Sequence, residues 1–326
     1  MATPITSITN RELQNEYIER RFLEFLKPQL QYYKFAQEGD VPQGVGDFIR
    51  WLDFPKMTVD VSPLSESLAT DNEMTSYTAI AVSGQITAYG QWLSVSEQQA
   101  KTAVLGTLDA ISERLSELGA RTVDTLLQTA CATGTKYFKE GQVASQTGFV
   151  TASSTLKAVT FSYINAELQA LGVGGHSSIG GQYAAVLSPI QISELQAEPT
   201  TSSGNVTWSE INKYNQNTVS KHMTAEAGSL FNIALHATPL VAKVGSIETS
   251  GTHLSPTTLS GYKGFVIGKD AIGRAGIGDM QPSIIVKKPG NQDTSQPLNT
   301  YWTYGVKFRA AHQLLDDDRI MQVHSV

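Results

Sequence analysis

The stretch LGVGGHSSIGG at 171–181 gathers one histidine and two serines among glycines, the residue types of a hydrolytic site. A nucleophile elbow needs Gly-x-Ser-x-Gly between a strand and a helix. Here Gly175 and Ser177 are followed by Ile179 where the second glycine belongs, and the preceding segment reads as helix. A dinucleotide fingerprint fails too, because Gly172 and Gly174 are followed by Ser177 in the place of its last glycine. The stretch reads as a flexible loop. GRAGIGDM at 273–280 carries three glycines without the Lys-Ser/Thr pair of a phosphate loop, so turn glycines are expected. Asp316, Asp317 and Asp318 read as a solvated turn and not as a metal site. The six histidines (176, 222, 236, 253, 312, 324) form no i, i+4 pair. Cys131, the only cysteine, excludes an internal disulfide and a zinc ribbon, and reads as a buried structural thiol. Asn205-Val206-Thr207 fits a glycosylation sequon, which carries weight only in a secreted chain. No catalytic, cofactor or metal constellation emerges.

The elements around these residues are more informative. From Glu97 to about Thr133, Val104, Leu108, Ile111, Leu115, Leu118, Thr122 and Leu126 recur at steps of four and three. That spacing predicts one apolar stripe on a helix about 50 Å long, longer than the usual 8–20 residues. Such a rod is a strut. Glycines at 106 and 119 weaken it by about 1 kcal/mol each, so packing must hold it.

Residues 1–46 read as an arm. Asn10 can cap a helix from Arg11 through Leu26, which Pro28 interrupts. Tyr17, Phe22, Phe25, Tyr32, Tyr33 and Phe35 are aromatic residues with little local core, and can dock on a neighbouring subunit or back on their own chain. FIRWLDF at 48–54 and the region 77–95 are strand-like. Between them lies a long polar stretch, the expected tip of a hairpin; loops of this length are usually functional or disordered. Beyond the strut, a helix is expected from Ser153 or Ser154 through about Leu171, with Leu156, Val159, Ile164 and Leu168 inward. QYAAVLSPIQISELQ predicts a buried strand, a turn at Pro189 and a short helix, and SLFNIALHATPLVA and GYKGFVIGKDAIG are further strand candidates. SIIVKK is another strand. In the C-terminal region Trp302, Tyr304, Val306, Phe308 and Ala310 alternate with Thr303, Gly305, Lys307 and Arg309, the period of a half-buried antiparallel strand. LDDDR is expected to turn, and IMQV to return.

Composition narrows the classes. Charged residues make up 17% of the 326, below the usual share of about 25%. Such a surface suits coverage by neighbouring protein, whose interface centres are depleted of charge, or a merely polar monomer. The net charge of −6, without a basic cluster, argues against a nucleic-acid binder. No apolar run approaches the ~20 residues of a membrane span, and the N-terminal stretch lacks a signal-peptide core, so synthesis in a cytosol is expected.

Taken in order, RFLEFLKPQLQYYKFAQ, FIRWLDFPKM, LSESLATDN, ITAYGQWLSVSEQ, AAVLSPIQISEL, GFVIGKDAIG and PLNTYWTYGVKFRAAHQLLDDDRIMQV resemble the major capsid proteins of tailed phages. The type is that of Hong Kong ninety-seven, and more closely its N-four-like branch. LSESLATDN is similar to that branch's Leu-x-Glu-Gly tip, with Ser67 in the glycine's place. The resemblance is nearly full length, weakest over 199–260, and rests on the colinear set. It implies an α+β fold with an N-terminal arm (1–46), an extended-loop hairpin (47–95), a peripheral domain with a long spine helix (96–150 and 281–326) and an axial domain (151–280). It also implies self-assembly into hexamers and pentamers of an icosahedral head around double-stranded DNA, contacted weakly and non-specifically. Portal, scaffold and decoration proteins become expected partners and the virion the expected location, with no membrane, cofactor or catalysis.

The implied inter-subunit contacts are the aromatic residues of the arm together with Lys56, Leu64, Glu66, Leu68, Asp71, Glu73 and Met74 of the hairpin. Some relatives cross-link the loop through a Lys-Asn isopeptide bond; Lys56, the only lysine in the hairpin, has no basis for that role. The expected cores are Val104, Leu108, Ile111, Leu115, Leu118 and Leu126 in the spine, and Trp302, Tyr304, Val306 and Phe308 in the C-terminal strand. Competing readings are an encapsulin-type compartment of the same fold, an α/β hydrolase-like enzyme, and a surface-layer or adhesin protein.

Overall fold

The computed structural model describes residues 30–41, 46–54, 79–98, 107–139, 142–143, 156–197, 226–248, 258–277, 283–287 and 300–325. Tyr17, Phe22, Phe25, Lys56, Leu64, Glu66, Leu68, Asp71, Glu73, Met74 and Val104 lie outside the described residues. In chain order the elements are β1 (Gln37–Val41), β2 (Phe48–Asp53), β3 (Ile80–Gln85), β4 (Thr87–Ser96) and α1 (Thr107–Cys131). Next come β5 (Tyr137–Lys139), β6 (Gln142–Val143), α2 (Ala158–Ala170), β7 (Tyr183–Leu187) and α3 (Pro189–Gln196). There follow β8 (Glu226–Leu230), β9 (Ile233–Ala237), β10 (Ala242–Glu248), β11 (Thr258–Ile267) and β12 (Ile272–Ile277). β13 (Ser283–Lys287), β14 (Tyr301–Leu314) and β15 (Ile320–Ser325) complete the order.

The run Tyr183-Ala-Ala-Val-Leu187 is apolar without alternation because both of its faces are covered. Ala184 and Val186 face a core built with Leu115, Leu127 and Cys131 of α1. Tyr183, Ala185 and Leu187 face a second core with Phe161, Ile164 and Leu168 of α2 and with Ile192 and Leu195 of α3. This strand is central to an eight-stranded sheet ordered β6-β5-β15-β11-β7-β9-β8, with β10 also on β11. Ser188 opens α3 with a capping box: its hydroxyl accepts from Gln191 N, and Gln191 Oε1 accepts from Ser188 N. Phe231 and Asn232, with φ of 47° and 64°, make the two-residue turn between β8 and β9. Two successive positive φ values are what the type I′ hairpin requires.

A five-stranded sheet, β1-β12-β14-β13 with β4 on β14, carries the spine helix on one face. Tyr304, Val306 and Phe308 point into it and are buried, with Trp302 packed at the edge. Tyr89 stacks on Phe308. α1 spans 25 described residues, about 37 Å at 1.5 Å per residue.

Its buried face differs from the aliphatic stripe. Leu115 is buried and Ile111, Leu118 and Leu126 are partly buried, but the buried side is carried onward by Ser116, Ala120, Val123, Asp124, Leu127, Gln128 and Cys131. Thr122 and Leu126 therefore lie at its margin. Small and polar residues mark that side, and hydropathy spacing does not register them.

Four other expectations are corrected. Ile320–Ser325 does not return along β14; it pairs with β11 and, in parallel, with β5, so β14 and β15 belong to different sheets. Residues 273–277 form a strand and not a turn. Part of the arm is a sheet strand, since β1 pairs in parallel with β12. SLFNIALHA is a hairpin of two strands and not a single one.

Candidate functional site

β2 and β3 form a separate two-stranded ribbon whose two faces have opposite fates. Ile49 and Trp51 face inward, with Trp51 8% exposed. The Trp51 ring fits because glycines line its slot: a Cβ at Gly273 would stand 2.7 Å from the ring, and one at Gly84 2.9 Å. Asp53 continues the inward face and meets Arg319 Nη2 at 2.9 Å, while Arg319 Nε holds Asp316 at 2.9 Å. Ile86 N donates to Asp47 O at 2.8 Å and closes the root. The opposite face presents Phe48, Leu52 and Phe54 at 62%, 61% and 58% exposure, with Arg50 between them. Firm anchoring beneath an outward apolar face is the geometry of a docking element.

A second outward surface lies on the β4–β14–β13 sheet, on the face away from α1. The register sets Trp92 opposite Gly305 and Gly305 opposite Ile285, in one row across three strands. Trp92 is 66% exposed and Ile285 46%. Gly305 has no side chain, so it forms the floor of a groove of about 500 Å³ that Ala88, Gly90, Lys287, Thr303 and Lys307 also line.

The inter-subunit candidates Tyr32 and Phe35 are placed elsewhere, buried in their own chain. The reason is electrostatic as much as apolar. Asp124 of α1 accepts from Gln31 N at 2.7 Å and from Tyr33 N at 3.4 Å, clasping the 3₁₀ turn Tyr32–Phe35 onto the helix. Burial lifts the Asp124 carboxyl to about 7, against the opposing pull of the backbone donors and Lys34. Phe35 sits between His176 and His236, with ring centroids 5.2 and 5.0 Å away. Burial lowers His236 to about 4, with Lys34 and His176 adding to the effect. Tyr33, partly buried, lies under the Arg274 guanidinium 3.3 Å from its ring centroid. Burial brings Arg274 down to about 10. Asp124, His236 and Gln128, whose Nε2 donates to Leu240 O at 3.1 Å, were not identifiable from local pattern.

The residues with chemical potential take structural roles. His176 is buried beside Phe35, whereas Ser177 and Ser178 are exposed on a 3₁₀ turn. Gly175 packs directly against the Gly181 carbonyl, and Gly180 and Gly181 adopt φ of 74° and 84°, so these glycines serve the turn. Burial raises the Cys131 thiol far above its usual range. The three aspartates are a clasp and not only a solvated turn. Asp316 holds Arg319, Asp317 accepts from the Thr135 amide and hydroxyl, and Asp318 meets Lys136 at 2.6 Å. Among the described residues, no group of three His, Cys, Asp or Glu is placed to hold a metal. No described helix is long and apolar enough to cross a membrane.

No family model and no curated protein sequence matches the chain. Solved structures do. A chain from the capsid of Ralstonia phage GP4 superposes with a TM-score of 0.67 at 13% identity, covering 91% of each chain. The cyanophage Pam1 capsid gives 0.60 at 12% identity, covering 92% of this chain and 91% of that one. The cyanophage P-SCSP1u capsid gives 0.60 at 9%, covering 91% and 88%. The chain has the α+β fold of phage capsid proteins. The matches do not single out the N-four-like branch.

Proposed function

We propose that this protein is the major capsid subunit of a tailed phage, a structural protein of the virion with no catalytic role. The observation that carries it is the end-to-end match to phage capsid chains, which spans about nine-tenths of both partners in the comparison with phage GP4. The two outward apolar surfaces support it, because a monomer gains nothing from a hairpin bolted down on one face and greasy on the other. In this reading residues 96–150 and 281–326 form the peripheral domain and 151–280 the axial domain, with β5, β6 and β15 of the first lying in the sheet of the second and β12 of the second in the sheet of the first. Copies associate as hexamers and pentamers of a closed icosahedral shell, and the hairpin of 47–95 reaches across a subunit border. Many modest interfaces then act together, so the assembly is far tighter than any one contact.

The net charge of −6 fits a lining that encloses double-stranded DNA without gripping it, since tight binding draws on clustered cations. Portal, scaffold and decoration proteins are the further partners of such a shell. Electron microscopy of the purified protein under assembly conditions is the test. Closed shells of uniform size are the expected result. A protein that stays monomeric under all assembly conditions, or that encloses a co-purifying enzyme in place of DNA in infected cells, contradicts it.

A further inference from the structure

The turn between β14 and β15 holds the β2–β3 ribbon at a second point, and we propose that Arg319 sets the direction in which that ribbon leaves the body. It is a positioning residue for assembly and not a prop of the fold. This rests on the shell reading above and names the side chain that aims the hairpin.

Two points fix a line. The first is Trp51, seated between Gly84 and Gly273, with Leu315 at the same slot. Held there alone, the ribbon would be free to pivot about the indole ring. The second is Asp53, two positions nearer the tip on the same face, about 7 Å further along the strand. Arg319 Nη2 donates to Asp53 Oδ1 at 2.9 Å, and Arg319 Nε donates to Asp316 Oδ2 at 2.9 Å. A guanidinium serves two carboxylates at once because its donors lie in one rigid plane, whereas a lysine ammonium fixes no plane. The ribbon therefore takes its angle from the seat that Asp316 gives Arg319.

That seat is itself tied down. Asp316 Oδ1 accepts from Asp318 N at 2.9 Å, Asp317 accepts from Thr135 N at 2.7 Å, and Asp318 meets Lys136. Gly268 N donates to Arg319 O at 2.8 Å, and Leu315 N to Ala271 O at 2.9 Å. The turn joins a strand of the five-stranded sheet to a strand of the eight-stranded one. It is also fastened to the residues just after α1 and to the β11–β12 connection. The ribbon is aimed relative to the junction of both sheets.

Magnitude separates this role from ordinary stabilisation. The Arg319 and Asp53 side chains are 25% and 29% exposed, and ion pairs so open to water add little to folding. Their effect falls on the pivot that Trp51 leaves open.

The test places spin labels at Phe54→Cys on the ribbon and Ser193→Cys on α3, both exposed, while the native Cys131 is buried. The distance distribution between them is measured in the unassembled full-length subunit. One narrow distribution is expected with Arg319 in place. Arg319→Gln and Asp53→Asn should each broaden it while moving the thermal midpoint by no more than about 3 °C. The two together should broaden it no further than either alone, because they break one contact. Arg319→Lys keeps the charge without the plane and should also broaden it. Arg114→Ala, which removes an exposed ion pair on α1, should leave it narrow. In assembly, Arg319→Gln should raise the subunit concentration needed for closed shells, by up to about fivefold for the loss of one such pair. An unchanged distribution in Arg319→Gln overturns the proposal, and so does broadening that comes with a general loss of thermal stability. Broadening with normal shell formation overturns the assembly role and leaves the shell reading intact. Absence of shells from the unaltered protein is failure of the shell reading, which the spin-label distances, taken on the subunit, keep separate.

Discussion

The strand at Tyr183–Leu187 and the strand at Phe48–Asp53 show two ways of using apolar residues. In the first, all five side chains are buried between two cores and two sets of helices. In the second, only Trp51 is buried, while Phe48 and Leu52 stand in solvent. One region is complete within a single chain. The other is anchored on one face and open on the other, where covering apolar area would contribute about 25 cal/mol per Å². On the proposed shell reading, stability and assembly fall to different parts of the molecule, and mutations should separate them.

Deleting residues 59–75 should have the largest effect, abolishing closed shells while leaving the thermal unfolding transition of the subunit close to that of the intact chain. Electron microscopy and calorimetry together check it; normal shells would remove the hairpin from the assembly reading. In the sealed region, Phe265→Ala removes a ring that is fully buried against Tyr32. A loss of about 3–5 kcal/mol in denaturant unfolding is expected, large against marginal stability. Asp124→Ala leaves the Gln31 amide buried without its acceptor and should cost about 1–3 kcal/mol. It should also raise amide exchange over 30–35, which unchanged exchange would contradict. Leu52→Ser is the smallest on stability, within about 0.5 kcal/mol as at other exposed positions, yet should still impair assembly. A variant that lost stability and not assembly would reverse the contrast between the two regions.

The pH dependence sharpens the same contrast, because its titrating groups lie in the sealed region and in the seats of the clasped turn. Burial lowers His236, His312 and His324 to about 4 from 6.5. A depressed folded value means that the stability from keeping each ring neutral is present above 6.5 and is lost as pH falls toward 4. Asp124, raised to about 7 from 3.8, has the opposite sign: its contribution is present below 3.8 and is lost as pH rises through 7. Three histidines against one carboxyl predict net destabilisation between pH 6.5 and 4. His236→Phe should flatten that limb in urea titrations at several pH values, and an unchanged slope would exclude His236 from it.

Much of the fold was legible where the signal is local. The alternation through Trp302, Tyr304, Val306 and Phe308 announced β14, because a strand's side chains change face at every residue. Pro189 announced the short helix α3, because its fixed φ and missing N–H suit a first helical turn; the structure starts the helix at Pro189 itself. The outward apolar surfaces were legible only in part. Phe48 and Leu52 lie on a strand that the sequence predicts, but a period of two does not say which face meets the body. That is set by Trp51 finding the slot left by Gly84 and Gly273, the latter more than two hundred positions away.

What the amino-acid order determined by itself is therefore the element list: a long helix, a hairpin, a closing strand, and a net charge of −6 without a basic cluster, which argues against a nucleic-acid binder. Partners distant in the chain were left to the tertiary structure. It turned Asp124 inward to hold the Gln31 amide, drew Tyr32 and Phe35 into their own core, sent Ile320–Ser325 into the second sheet, and left Trp92 beside Gly305 as an open row. Periodicity measures only how a segment divides between wet and dry. Which dry face meets which depends on backbone hydrogen bonds and charges brought together by folding, and these have no signature within a few residues of either partner.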